Sequence, residues 1–343
     1  MSLFPKVGRK QPAMRLSRSV LWTFLTVGML LHLFPFAFMI ITSLKPAQET
    51  LRMPPTIFPE EIDTSAWELM FNVVTADDTD PRVSALLREP YIVYFRNSMI
   101  QALGSLALSL PITAFAAYAN SKLQQGREAR FTFLFFIGTL MIPAIVTLIP
   151  SFLLTRNFPF PLPQAPMIPG TDMQFPVLRI WDTHWAIIIP SIFNGFNFLL
   201  FKGFFDTIPD SIIQAARVDG GSELNIFRRI VLPMSVPVFA VAAWTQFGAV
   251  WNSFLWPLVV TQSADSIPTT VAVQSLINRV LQSGATTPEQ ANSASVAMQK
   301  IMEAGLSWNG MMVLSIIQTI PIFIMFLICQ EYLLKGIRIR GLK

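Results

Sequence analysis

Residues 19–44 read SVLWTFLTVGMLLHLFPFAFMIITSL, a run of 26 residues without Asp, Glu, Lys or Arg. A bilayer core is about 30 Å thick, and about 20 apolar residues of helix cross it. Five more charge-free windows follow along the chain: 97–121, 131–155, 185–201, 230–264 and 304–330. These windows lack the alternation of a barrel strand, and open strands cannot satisfy their backbone groups in lipid. The pattern therefore predicts an all-α membrane protein with six transmembrane helices.

The composition supports the same class. The chain is 52% hydrophobic and 13% charged, whereas soluble domains carry about 25% charged residues. This deficit excludes an ordinary soluble domain, and the high hydrophobicity excludes a disordered chain. A single cysteine and two histidines exclude a disulfide framework and a cysteine- or histidine-rich metal site. Although the net charge is +5, its distribution indicates a membrane partner and no nucleic acid.

The first window differs from a cleavable signal peptide. Its uncharged run is longer than a signal core of about 7–15 residues, and no small-x-small cleavage site follows it. We therefore expect 19–44 to be a retained transmembrane helix after a basic tail, 1–18.

Lysine and arginine in the connections predict the orientation. The hydrophilic segments between successive spans alternate between the two sides of the membrane. When they are summed by side, one side has 16 Lys and Arg and the other has 9. Because basic residues favour the cytoplasm, both termini and the second and fourth connections are predicted to be cytoplasmic, as in a multi-pass bacterial or archaeal plasma membrane protein. The predicted divisions are a cytoplasmic tail 1–18, the first helix 19–44, an extracytoplasmic loop 45–96, a five-helix core 97–334 and a cytoplasmic tail 335–343.

The six windows carry no catalytic chemistry. They contain no Asp, Glu, Lys or Arg and a single histidine, His32, and a lone histidine there is more often packed or interfacial than a proton relay. The chain has no GxxxxGK[ST] motif for ATP phosphates, and its windows hold no HExxH or paired aspartates. We therefore expect a protein that is not an enzyme and that takes its energy from a partner subunit.

The fourth connection, 202–233, contains a short amphipathic helix. Thr207 or Asp206 is expected to cap it, with Pro209 in its first turn, and Gly220 and Gly221 provide its stop. About ten residues of helix are about 15 Å long, too short to cross a bilayer. Its apolar stripe is predicted to be exposed on the cytoplasmic face, where it suits the groove of a partner. The stripe consists of Ile208, Ile212, Ala215 and Ala216.

This connection resembles the signature of permease subunits of binding-protein-dependent ABC importers. That signature reads EAA, three residues, Gly, nine residues, Ile, one residue, Leu-Pro. The chain matches its spacing with Gln214-Ala215-Ala216, Gly220, Ile230 and Leu232-Pro233. The likeness is to the carbohydrate-uptake, maltose-permease-like branch and continues outside the loop, with segments such as Thr42–Lys45, Asn97-Ser98, Ala116–Ala119, Met141–Pro143 and Trp251-Asn252.

The resemblance implies that the short helix is a coupling helix seated in a cytoplasmic ATPase. ATP and Mg would be bound by a dimer of ATPase subunits, and this chain would bind no cofactor. The further partners implied are a second permease subunit, usually a different chain, and an extracytoplasmic solute-binding protein. We expect this binding protein to meet the loop 45–96, with the loop 265–303 as a second candidate contact. The implied coupling residues are Gln214, Ala215, Ala216, Arg217, Asp219, Gly220, Gly221, Glu223, Ile230, Leu232 and Pro233.

Two features depart from the family pattern. Gln214 replaces the usual glutamate and so removes a charge available to an ATPase arginine. The fifth connection, 265–303, is long, and its polar stretch 282–295 is expected to be mobile or to serve an external partner.

Five residues are candidates for the solute path, because amides read sugar hydroxyls and aromatic faces stack on sugars. They are Asn194, Asn197, Gln246, Trp251 and Asn252. Each amide is equally able to join two helices. The leading hypothesis is import of a sugar or sugar-like solute; the alternatives are a glycerol phosphate or another polyol derivative, or a scaffold or receptor that transports nothing. A phosphate would favour cationic groups near the path, and the windows contain none.

Overall fold

The computed structural model describes residues 12–68, 70, 89–159, 167, 178–281 and 307–339 of the 343-residue chain. This part of the chain is helical and contains no strand, apart from one isolated bridge between Phe158 and Leu178. The first six helices are α1 (Pro12–Ser43), α2 (Tyr91–Tyr118), α3 (Gly126–Leu140), α4 (Ala144–Arg156), α5 (Trp185–Ser191) and α6 (Gly195–Phe205). The others are α7 (Asp210–Val218), α8 (Glu223–Ile226), α9 (Leu232–Met234), α10 (Val236–Trp251), α11 (Leu255–Val260), α12 (Thr269–Leu281) and α13 (Trp308–Ile339). The predicted all-α class is confirmed.

Within the described ranges, between four and six segments are long and apolar enough to cross a membrane. Four are single stretches: Leu16–Ser43, Tyr91–Leu123, Trp185–Phe205 and Trp308–Leu333. The other two are bent pairs, Gly126–Leu140 with Ala144–Arg156 (98°) and Glu223–Met234 with Val236–Trp251 (81°). The count reaches the six predicted windows when each bent pair is taken as one span.

The first bend follows from a proline. Pro143 has no amide hydrogen and cannot continue the hydrogen-bond ladder of α3. Its ψ of 132° turns the backbone out of the helical region just before α4 begins. The amide of Met141 closes α3 by donating to the Gly138 carbonyl at 3.1 Å. The window 131–155 therefore forms two helices rather than one straight rod.

The chain divides into two compact units, residues 1–86 with 275–320 and 341–343, and residues 87–274 with 321–340. In the first unit, α1 begins at Pro12, so Arg15 and Arg18 of the predicted tail already belong to the helix. Most large apolar side chains of α1 are exposed, as expected for a helix in a lipid environment. After it, Lys45 and Glu49 form a buried ion pair, and the Thr56 hydroxyl donates to Glu49 while accepting from Lys45.

The second unit is built around α2, which packs against α5, α6 and α10. Alanines on α2 let the neighbouring helices approach closely, as small residues do in membrane proteins. Tyr118, Phe205 and Phe227 meet edge to face, with ring centroids 5.3–6.4 Å apart. This core continues beneath the connection 202–233. In α13, Cys329 is buried and carries a free thiol.

Candidate functional site

Two glycines form the end of α7. Gly220 has a φ of 80°, in the left-handed region that glycine adopts without strain. Its amide donates to the Arg217 carbonyl at 3.0 Å, and the Gly221 amide donates to the Ala216 carbonyl at 2.9 Å. These two bonds are a Schellman motif. A Cβ on Gly221 would lie 2.8 Å from the Ala216 carbonyl oxygen, so this turn requires glycine at both positions.

The start of α7 differs from the prediction. Pro209 is the N-cap residue, and no side chain caps the first turn. The predicted capping by Thr207 or Asp206 is wrong, because both side chains have other partners. The Thr207 hydroxyl donates to the Phe204 carbonyl at 2.6 Å, and Asp206 accepts from Ser121 at 2.6 Å and pairs with Lys202 at 3.2 Å.

The apolar residues of α7 and its lead-in are divided between two faces. Ile208 and Ile213 are buried in the core below the loop. Ile212 and Ala215 are exposed, and Val218 is 87% exposed. The predicted exposed stripe is therefore correct in part: Ile208 points inward, Ala216 is half-buried, and Val218 extends the outer face. A short helix with an apolar outer face suits the groove of another protein.

Ion pairs and hydrogen bonds attach α7 and the residues beside it to the Tyr118 end of α2. Lys122 lies in a π-helical turn, Ala119–Leu123, and its ammonium pairs with Asp210 at 2.6 Å. Arg217 pairs with Glu223 at 2.6 Å, and the Tyr118 hydroxyl donates to the same carboxylate at 2.8 Å. We call these contacts, together with the Ser121–Asp206 hydrogen bond, the α2–α7 latch.

The charges of the latch support one another. The hydrogen bond from Lys122 lowers the pKa of Asp210. The hydrogen bond to Glu223 raises the pKa of Arg217. Both shifts favour the charged forms that make the two ion pairs.

The latch contains residues to which the sequence analysis assigned no role. In that analysis Lys122 was one basic residue of the second connection, and Tyr118 was part of the segment Ala116–Ala119. The other predicted coupling residues are exposed or half-buried: Gln214, Asp219 and Pro233 are exposed, and Ile230 and Leu232 are half-buried.

Three of the five path candidates meet between α6 and α10. The Gln246 side-chain oxygen accepts from Asn194 at 3.2 Å and from Asn197 at 3.1 Å. Its nitrogen donates to the Ser191 carbonyl at 3.0 Å. Asn194 also caps α6 by accepting from the amide of Phe196 at 2.9 Å. These contacts make the three amides a bridge between helices.

The other two candidates lie apart from this bridge. Trp251 is buried, stacks on Phe247 with ring centroids 5.6 Å apart and meets Phe95 edge to face. Asn252 is exposed and donates to the carbonyl of Gly248 in its own helix at 2.9 Å. The sequence motif Trp251-Asn252 thus places one residue in the core and one at a helix end.

A cavity of about 270 Å³ adjoins the amide bridge. Asn194 and Gln246 line it, together with Ser253 and Trp256, and none of its lining residues is charged. The Trp256 indole donates to the Ala186 carbonyl at 3.0 Å. The cavity combines amide, hydroxyl and aromatic groups, which suits an uncharged hydroxylated molecule. Among the described residues, no group of three His, Cys, Asp or Glu is placed to hold a metal ion.

Replacing Gln246 with leucine is expected to destabilise the protein by about 2 kcal/mol, because three hydrogen bonds of about 0.6 kcal/mol each are lost between helices. Thermal unfolding in detergent measures this change. The control is Asn252→Ala, which removes only a bond within one helix and should leave the midpoint unchanged. An unchanged midpoint for Gln246→Leu would contradict a bridging role.

Comparisons with known proteins agree with this architecture. The inner membrane ABC transporter permease protein YcjP of Escherichia coli (strain K12) is 26% identical over 96% of this chain and 97% of its own length. The arabinooligosaccharides transport system permease protein AraQ of Bacillus subtilis (strain 168) is 24% identical over 98% of this chain and 99% of its own length. The sn-glycerol-3-phosphate transport system permease protein UgpE of Yersinia pestis is 24% identical over 91% of this chain and 93% of its own length.

A solved structure shares the fold. It is a crystal structure of a bacterial ABC transporter involved in the import of the acidic polysaccharide alginate, with a TM-score of 0.69 and 21% sequence identity. The match covers 94% of this chain and 98% of that chain.

The family described as the binding-protein-dependent transport system inner membrane component matches residues 109–339, which include the latch, the amide bridge and α7. This match spans more than half of the chain and confirms the family predicted from the loop signature. The chain therefore belongs to the family of inner membrane components of binding-protein-dependent transport systems.

Proposed function

We propose that this chain is a translocation subunit of an ATP-driven importer for a sugar or sugar-like solute. The observation that carries the proposal is α7, a short helix with Ile212, Ala215 and Val218 exposed on its outer face and its ends fixed to the protein. A membrane protein that transports nothing has no need for such a docking element beside its core. Family membership and the names of the carbohydrate-transporting relatives support the same function.

In the proposed topology each bent pair is one span, which gives six transmembrane helices. Both termini lie in the cytoplasm, as do the connection from the second span to the third and the connection from the fourth span to the fifth, which contains α7. The segments on this side together carry 16 of the 25 Lys and Arg residues. The divisions expected from the sequence follow: 1–18, 19–44, 45–96, 97–334 and 335–343. In this arrangement α7 is the cytoplasmic coupling helix.

The proposed partners are a dimer of ATPase subunits on the inner side, a second permease subunit and a solute-binding protein on the outer side. ATP and Mg belong to the ATPase. The loops 45–96 and 265–303 are the proposed contacts for the binding protein. Residues 71–88 of the first loop and the polar stretch 282–295 of the second lie outside the described residues. An ATP-driven closure of the ATPases would move α7 and change the side of the membrane to which the path is open. ATP shifts this equilibrium only because it binds one state better than the other.

The cavity beside the amide bridge is the proposed solute contact within this chain. Asn194 and Gln246 present amide groups to it, and Trp256 provides an aromatic face. The buried Asn197 donates to Gln246 from its side chain and to the side-chain oxygen of Asn194 from its backbone amide. The cavity has no charged lining residue, which favours a neutral sugar over an anion.

A glycerol phosphate is the second candidate, because one relative of this chain is named for sn-glycerol 3-phosphate transport. It requires a cationic group near the phosphate, and the cavity supplies none from this chain. In that case the cation would come from the second permease.

Purification of the chain with its membrane partners tests the proposal. An ATPase is expected to co-purify, and the matching solute-binding protein loaded with a neutral oligosaccharide should stimulate ATP hydrolysis. The same assay with sn-glycerol 3-phosphate distinguishes the second candidate. Absence of any ATPase from the complex would refute the proposed function.

A further inference from the structure

Lys122 is a buried cation with two acceptors at the start of α7, namely Asp210, its first residue, and Ile208, two residues before it. Its side chain is 5% exposed, whereas that of Asp210 is 73% exposed. The ammonium donates to the Asp210 carboxylate at 2.6 Å and to the Ile208 carbonyl at 2.7 Å. A buried ammonium is costly unless it is paired and hydrogen-bonded. Both bonds are therefore needed to hold Lys122 in this place.

The remaining contacts of the latch join the same two elements. Ser121 donates to Asp206 before α7, and Tyr118 donates to Glu223 after it. Arg217, inside α7, donates to the main-chain carbonyl of Lys122 at 3.2 Å. The start of α7, its last turn and the region after it are thus all joined to Tyr118 at the end of α2 or to the π-helical turn Ala119–Leu123 that follows.

The opposite end of α2 is fixed to a different connection. Asn97 donates to the carbonyls of Ala264 and Ile267 at 2.8 and 3.0 Å, and Gln101 donates to that of Ser266 at 2.7 Å. The 28 residues of α2 correspond to about 42 Å at about 1.5 Å per residue. One helix therefore connects the α7 loop to the connection around residue 266.

We propose that Lys122 is a positioning residue that makes α7 and α2 move as one body, so that displacement of α7 by the ATPase is transmitted along α2 to the connection 261–269. This inference rests on the proposed function. It assigns to Lys122 a role in transmission, whereas attachment of the ATPase depends on the outer face of α7. Removing Lys122 should therefore separate ATP hydrolysis from transport.

The test compares Lys122→Met, Lys122→Arg and the control Arg127→Met in the assembled transporter with its binding protein. Arg127 is an exposed cation five positions further along the same connection. Three quantities are measured: ATPase co-purified, ATP hydrolysed, and solute transported per ATP. Lys122→Met should keep the ATPase and lower transport per ATP about tenfold, in the range of coupling energies between distant sites. Lys122→Arg should retain most of the transport per ATP, and Arg127→Met should behave as the unmodified protein.

Two results would overturn the inference: unchanged transport per ATP in Lys122→Met, or loss of ATPase and transport together at a constant ratio. Failure of the proposed function has a different signature, because then the unmodified chain itself co-purifies no ATPase. Asp210→Asn provides a second route to the same contact. It should lower transport per ATP as Lys122→Met does, and the double variant should show no further loss if the two residues act through one bond.

Discussion

Replacing Val218 with aspartate is expected to weaken binding of the ATPase about thirtyfold or more, while the permease remains in the membrane at its normal level. Val218 is 87% exposed, so the substitution removes almost no packing within this chain. At a protein interface the new carboxylate would be buried without a partner. Loss of a central interface contact costs about 2 kcal/mol or more, which weakens binding about thirtyfold. Co-purification of the ATPase at a fixed expression level measures the effect.

The matched control is Gln125→Asp. It places the same charge at an exposed position of the connection 122–130, on the side of the membrane where α7 is proposed to lie. It should leave ATPase capture unchanged. If Val218→Asp also captures the ATPase normally, the outer face of α7 is not the docking surface. Equal thermal unfolding midpoints for both variants would show that the difference does not come from folding.

Alanine at Gly221 is expected to have the second-largest effect, through the end of α7. The added Cβ would lie 2.8 Å from the backbone oxygen of Ala216, and a backbone atom cannot move aside as a flexible side chain does. Such overpacking costs about 1–3 kcal/mol. Gly220→Ala places a side chain at a φ of 80°, which costs about 1 kcal/mol. Amide hydrogen exchange over residues 210–221 should show the last turn of α7 opening more often in both variants.

Gly203→Ala is the control for this pair. Gly203 lies inside α6, and a Cβ there meets nothing within 4 Å. Because alanine favours a helix interior more than glycine does, this variant should be at least as stable as the unmodified chain. Equal exchange in all three variants would contradict the requirement for glycine at the end of α7. ATPase capture should fall in the order Gly203→Ala, Gly220→Ala, Gly221→Ala, because docking needs an intact helix end.

The charge-free windows predicted the apolar helices well, because lipid imposes one requirement on every spanning segment. The windows did not predict the bends. Pro143 signals a break in the third window, but only the structure gives its angle of 98°. The extension of α1 back to Pro12 was also missed, since a helix can continue into a charged region outside the hydrocarbon.

The candidate site was predictable where its pattern is local. The spacing from Gln214 to Pro233 identified the family, and Gly220-Gly221 identified the end of α7. Contacts that join distant parts of the chain were not predictable in this way. Lys122 and Asp210 are 88 positions apart, and no short-range pattern relates them. The capping prediction was wrong for the same reason, since Ser121 from a distant segment bonds Asp206.

The buried thiol of Cys329 makes this protein suitable for chemical mapping without removal of a native residue. It is the only cysteine of the chain, and a buried sulfur is shielded from aqueous maleimide reagents. A cysteine introduced at an exposed position, such as Val218 or Gln125, would then be the main site of modification in intact cells. Reaction with permeant and impermeant reagents would report on which side of the bilayer each position lies.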